Sequence, residues 1–447
     1  MHKAPERRSV LGVMFLTVFL DIVGFSIIFP LFPDLLEHYL SISDPNGWFA
    51  GFIGQLESWS SGDDTAVLAL FGGLLGSVYG LLQFLFSPIW GALSDRFGRR
   101  PTLLITLSGT SLSYVLWAFS GSFLVLIAAR VLGGIMAGNI SAASAAVADT
   151  TTASERAKGM GIIGMGIGLG FIMGPAIGGL TASLGSVEVG TMPASALALN
   201  PFSGPAFAAL ALSLVNLLWV VNRFPETFPP EKRNPAGRGT LNPFARIRTL
   251  DRPGVPRTNS LYFLYLIAFA AIEFTLTFLT KERFDFEPRD MAWMFVYVGL
   301  IIAFVQGGIV RRVAPRFGER RVAQVGLVLT APGFAWIGAT QTVGGLYGGL
   351  AFMAFGSALV MPCLSALISR YTPPGEQGFA LGSFRAMGSL ARATGPAIGA
   401  VVYWRFTSAA PYYSGALFLV IPILLALSLP APPADPDQAE TPEPKEA

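Results

Sequence analysis

The chain has 447 residues, of which 52% are hydrophobic and only 13% charged. Soluble domains carry about twice that charged share, so a soluble globular protein is excluded. The net charge of +3 is small and the basic residues sit in short connections, which argues against nucleic-acid binding; the single cysteine, Cys363, lies in an apolar run, leaving no disulfide framework and no cysteine-based metal site.

The apolar residues come in runs of about 20, the length that crosses a hydrocarbon core of roughly 30 Å. Twelve spans are predicted, at 11–33, 66–90, 102–120, 123–149, 159–182, 205–222, 258–280, 291–310, 321–340, 344–370, 378–401 and 410–430. Two-residue alternation is missing, which argues against a β-barrel. The expected fold class is an all-α polytopic membrane protein. The first span follows Lys3, Arg7 and Arg8 like a signal peptide, but Asp21 interrupts it and no small-residue cleavage site follows, so it reads as a span. A long first outer loop carrying Trp48-Phe49-Ala50 separates it from the second.

Between the second and third spans lies a short charged turn, Gly91-Ala-Leu-Ser-Asp-Arg-Phe-Gly-Arg-Arg-Pro101. Most of the 30 lysines and arginines fall on the side that holds this turn and both termini; Lys281, Arg283, Arg289 and Arg405 fall on the other. That bias places the termini and the turn in the cytoplasm. Arg130, Arg385 and Arg392 lie within spans.

The chain repeats itself once. Gly174-Pro-Ala-Ile-Gly178 in the fifth span recurs as Gly395-Pro-Ala-Ile-Gly399 in the eleventh, and Arg96-Phe-Gly98 recurs as Arg316-Phe-Gly318 at nearly the same offset. The expected organisation is therefore a six-helix half at 1–222, a cytoplasmic linker at 223–257, a second six-helix half at 258–430, and a disordered cytoplasmic tail at 431–447. The echo is incomplete. Pro315 stands where the first half has Asp95.

With these motifs in order, the chain resembles the major facilitator superfamily of secondary transporters. The Gly91–Pro101 turn matches its signature loop. Within the superfamily, Leu20-Asp21 with Gly24-Phe25 and Pro30 looks like the first-helix motif of the drug:proton antiporters. Arg130 with Gly133-Gly134 and Gly138 resembles the fourth-helix motif, whose arginine the likeness associates with proton transfer. Gly170-Phe-Ile-Met-Gly-Pro-Ala-Ile-Gly-Gly179 fits the antiporter motif. Phe71-Gly-Gly-Leu-Leu-Gly-Ser77, Gly138-Asn-Ile-Ser141 and Gly382-Ser-Phe-Arg-Ala-Met-Gly-Ser-Leu-Ala-Arg392 are similar to the tetracycline-transporter-like (TETRAN-type) group. The resemblance implies two pseudo-symmetric six-helix bundles, a central cavity, export of drugs or organic anions, and residence as a monomer in a bacterial inner membrane.

Charges inside the hydrocarbon region need a reason, since each costs on the order of 3 kcal/mol to insert. Asp21 lies about 15 Å into the first span, near the midplane; Arg392 reaches a similar depth, and Arg385 lies on nearly the same helix face. A carboxylic acid in a low-dielectric cavity favours its neutral form, and a nearby arginine favours the charged one. Asp21 with Arg130 is the expected proton-coupling pair, and Glu273 a second proton site. The alternative for each is a structural ion pair. Histidine is set aside as carrier because His2 and His38 fall outside the spans. Arg385 and Arg392 are expected to hold an anionic substrate group, as a planar guanidinium suits a carboxylate or phosphate. Gln83, Asn139 and Gln306 are candidate cavity residues.

For gating, the expected residues are Gly91, Asp95, Arg96, Gly98, Arg99 and Arg100 in the turn, and Gly170, Gly174, Pro175 and Gly178 in the fifth span. The glycines equally suit plain close packing, and the turn a plain basic anchor; Asp95 goes beyond that need. No P-loop, metal-ligand cluster or nucleophile–base pair is present, so the chain reads as no enzyme and needs no cofactor. The function expected is proton-coupled efflux of small amphipathic molecules. Movement of lipid or lysolipid, or a non-transporting membrane sensor, are the alternatives.

Overall fold

The computed structural model describes residues 7–43, 47–59, 64–151, 156–182, 197–229, 252–373 and 376–432. The first half comprises α1 (Arg7–Ser26), α2 (Phe32–Ile42), α3 (Trp48–Trp59), α4 (Asp64–Phe97), α5 (Arg99–Ala118), α6 (Phe123–Met136), α7 (Asn139–Thr150), α8 (Arg156–Ala182) and α9 (Ser203–Arg223). The second comprises α10 (Val255–Phe284), α11 (Pro288–Phe304), α12 (Arg311–Phe317), α13 (Glu319–Ala339), α14 (Val343–Arg370), α15 (Gln377–Arg405), α16 (Ala410–Phe418) and α17 (Val420–Leu427). Among the described residues the sole strand-like pairing is an isolated bridge between Ser120 and Leu197. Among the described residues, ten helical segments are long and apolar enough to cross a membrane. Helices α5 and α15 complete the twelve.

Helix α5 shows why composition understates it. Thr102, Thr106, Thr110 and Ser113 are buried, whereas Ile105 and Leu112 are 56% and 53% exposed. Its polar side faces protein and its apolar side faces outward, as a helix in lipid requires. The Thr102 and Thr110 hydroxyls each bond a carbonyl one turn back, and the Thr106 hydroxyl has the Thr102 carbonyl and Asn139 Oδ1 within reach as alternative acceptors, so none is stranded.

The expected first outer loop is largely helical. The first span continues through a 3-10 turn at Phe29–Leu31 into α2, and α3 follows. This puts His38 on the helical extension of the first span, half-buried, rather than in a loop. Residues 230–251 of the expected linker and 433–447 of the expected tail lie outside the described residues. At the linker's end Arg252 pairs with Glu376 at 2.6 Å and holds that exposed carboxyl below its ordinary range.

The repeated glycines pack helices in matching ways. A Cβ on Gly174 would lie 1.9 Å from Ser26 Oγ, and one on Gly178 2.0 Å from the Ile27 carbonyl, so α8 lies directly on α1. Gly395 and Gly399 meet Ala270 and Ala271, so α15 lies on α10 in the same manner. Missing side chains let two backbones approach. Gly170 does likewise against Ile22, and Pro175 sits inside the unbroken helix α8.

The halves meet along α4 with α15 and α8 with α11. On the face opposite the Gly91 turn they are closely apposed. Gly179 is against the Pro288 carbonyl, Gly73 against Ala400, and Asp34 of α2 pairs with Lys281 of α10.

Candidate functional site

Toward the face of the Gly91 turn the halves leave a cavity of about 280 Å³. Its walls come from α4, α7 and α15, with Arg99 at the start of α5. Phe84, Pro88 and Ile140 are apolar; Gln83, Ser87, Ser141, Ser144 and Ser389 supply polar groups; Arg385 supplies a guanidinium. Arg385 Nη1 donates to Ser144 Oγ across the two halves. A largely apolar chamber with hydroxyls and the Arg385 guanidinium is suited to a compact amphipathic anion.

Of the other expected cavity residues, Gln83 lines the chamber and two do not. Asn139 is fully buried behind it, donating from Nδ2 to Asp21 Oδ1 at 2.8 Å. Gln306 sits in a π-helical segment, Val305–Val310, away from the chamber. Its position is set by the extra residue per turn that a π-helix inserts.

The expected Asp21–Arg130 ion pair does not form. Asp21 takes the Asn139 amide instead, while Arg130 lies over the Tyr79 ring at 4.4 Å and the Phe25 ring at 5.6 Å. Arg130 Nε and Nη2 are buried without a hydrogen-bond partner. Tyr79 interacts electrostatically with both charged groups. An aromatic face offers a cation partial compensation without a formal counter-charge.

Glu273 and Arg392, assigned separate roles from sequence, are instead paired. Arg392 Nη1 is 3.7 Å from Glu273 Oε2, and the guanidinium sits 3.7 Å above the Phe171 ring of α8. The residue therefore ties α15 to α10 and to the other half. This geometry favours the structural ion pair for Glu273 over an independent proton site.

The Gly91 turn forms a clamp built from the first half and the start of the expected linker. Arg99 pairs with Asp95 at 2.5 Å and with Asp149 at 2.8 Å, and also donates to Ser94 Oγ. Phe228 covers its guanidinium at 4.6 Å. Gly98 has φ 107°, a region open to glycine, and its lack of a side-chain cap leaves the first N–H groups of α5 exposed. Glu226 fills that gap, accepting from the Arg99 and Arg100 N–H groups at 2.9 and 3.2 Å. Arg96 points out to solvent over Phe97, and Arg100 donates to the Val221 carbonyl. Gly91, Asp95 and Arg99 also border the cavity, so the turn and the chamber are contiguous rather than separate.

Sequence reading missed Ser144, Asp149, Phe171 and Glu226. A lone acid at the end of the fourth span was the available signal for Asp149. For Ser144, Phe171 and Glu226 there was none, because their partners are remote in the chain.

The sequence profile of the Major Facilitator Superfamily matches residues 14–317 and 309–447. The chain belongs to that superfamily. Major facilitator superfamily domain-containing protein 10 of Bos taurus is 38% identical over 461 residues, covering 96% of this chain and 95% of that protein. The class B tetracycline resistance protein of Escherichia coli is 27% identical over 401 residues, covering 90% and 89%. The crystal structure of the human organic anion transporter MFSD10 (TETRAN) matches with a TM-score of 0.75 and 34% identity, covering 95% of this chain and all of that one. As a member of the Major Facilitator Superfamily the chain is an integral membrane transporter with two six-helix bundles, and it is not an enzyme.

Proposed function

We propose that the chain exports small amphipathic organic anions in exchange for protons, by alternating access of the cavity between its halves. The observation that carries the anion preference is Arg385, a guanidinium in the chamber wall that meets a serine hydroxyl, whereas Arg99 at the chamber's border is already paired with Asp95 and Asp149. Its similarity to an organic anion transporter and to a tetracycline resistance protein agrees with that chemistry. Asp21 is the proton carrier. It is the carboxylate buried in the first span, held by a neutral amide rather than a cation, so it has no counter-charge to oppose protonation. The Gly91 face is cytoplasmic in this reading, and the apposed opposite face makes the conformation described an inward-facing one.

Purified protein in vesicles with an imposed pH gradient tests the reading. Asp21→Asn abolishes gradient-driven flux of an anionic dye while equilibrium binding of the dye persists. Full coupled flux in that variant rejects Asp21 as the carrier.

A further inference from the structure

The fourth span is broken in its middle, and the break lies beside Asp21. Helix α6 ends at Met136 and α7 starts at Asn139. In an unbroken helix the Ile135 carbonyl would accept from the Asn139 N–H; here it accepts from the Trp90 indole at 2.6 Å. The Trp90 ring also occupies the space where a Cβ on Gly138 would sit. Helix α7 is thus free of α6 at its first residue, and it carries Ile140, Ser141 and Ser144 of the cavity wall.

We propose that the Asn139 side-chain amide reads the protonation state of Asp21 and passes it to α7 by turning over between two hydrogen-bonded arrangements. This rests on the proton role of Asp21 proposed above. With Asp21 charged, Thr106 Oγ donates to Asn139 Oδ1, and Nδ2 donates to Asp21. With Asp21 protonated, its O–H donates to Asn139 Oδ1, and Nδ2 turns to donate to Thr106 Oγ. The Thr106 hydroxyl proton then goes to the Thr102 carbonyl at 3.0 Å or the Leu103 carbonyl at 3.1 Å. Both arrangements satisfy every group named. A hydroxyl at 106 is required because it alone exchanges the roles of donor and acceptor. The charged arrangement holds α7 to α1 through a charge-assisted bond, about twice as strong as its neutral replacement. Protonation therefore loosens α7 at the break and frees the cavity wall.

The other titratable or charged groups around Asp21 are Tyr79 on α4, Tyr114 on α5 and Arg130 on α6. Helices α8 and α9, which pack on α1, carry charge only at their ends, at Arg156, Lys158 and Arg223.

The full chain carrying Ser141→Cys tests the proposal, since the native Cys363 is buried. The rate of maleimide modification is followed across a pH titration, alongside the carboxylic-acid infrared band that Asp21→Asn removes. The rate is expected to change several-fold in step with the band. Asn139→Leu and Thr106→Val keep the titrating band and lose the rate change; Thr106→Ser keeps both. A rate that still follows the band in Asn139→Leu or in Thr106→Val overturns the proposal, as does an Asp21 band that never titrates. Proton flux in vesicles is measured separately. Absent flux with the rate change intact rejects the antiport reading alone.

Discussion

Arg385 and Arg392 occupy one helix face yet do different work, because their neighbours differ. Arg385 meets a hydroxyl of the other half at the cavity wall. Its replacement by Gln is expected to weaken binding of an anionic substrate about tenfold more than that of a neutral analogue of equal shape, measured by titration calorimetry. Arg392 is engaged with Glu273 and Phe171. Arg392→Gln leaves a buried carboxylate without its cation, and is expected to cost about 2 kcal/mol of stability. Adding Glu273→Gln restores most of it, as thermal unfolding in detergent would record. An undiminished loss in the double variant would mean that the pair is not what holds the helices. The depth of all these charges was legible in the sequence from their distance along each span. Their partners were not, since the sequence does not state how each helix is turned about its own axis.

Among the elements, the clearest relation is between the two turn clamps. Gly98 and Gly318 both have positive φ, 107° and 83°, and each starts a helix. The residue after each makes an ion pair near the end of another helix of its own half, but with the signs exchanged: Arg99 with Asp149, Glu319 with Arg370 at 2.7 Å. The loss of Asp95 in the echo is thus part of a wider reversal of charge, and the second half retains a clamp that its sequence concealed. The glycine motifs were equally visible as motifs, but packing and gating could not be separated until contacts were known. Gly174→Ala places a methyl against Ser26 Oγ and the Val23 carbonyl, and is expected to destabilise by about 2 kcal/mol. Gly168→Ala on the same helix meets nothing within 4 Å and is expected to leave the melting temperature unchanged.

For the whole molecule, the arrangement is asymmetric across the membrane. The halves are apposed on one face and leave a chamber toward the other. Asp34 and Lys281 form an ion pair between the halves on the apposed face, with Glu37 4.0 Å from the same ammonium. Alternating access requires this contact to part. A cysteine pair at 34 and 281, oxidised to a disulfide, is expected to stop transport in vesicles, and reduction to restore it. Transport that continues through the oxidised pair would show that this face does not open.

Length and hydropathy are properties of the chain itself, so the sequence alone determined the twelve helices, the internal repeat, the position of each charge along its span and the superfamily. It did not determine which charges meet. A membrane helix is apolar around most of its circumference, so its sequence carries little of the one-sided pattern that orients a helix in a soluble core. Tertiary packing supplied the missing rotation. It turned Asp21 toward Asn139 rather than Arg130, joined Glu273 to Arg392, and left Arg385 at the chamber wall, because burial of each charge in low dielectric demands whichever compensating group the neighbouring helix presents.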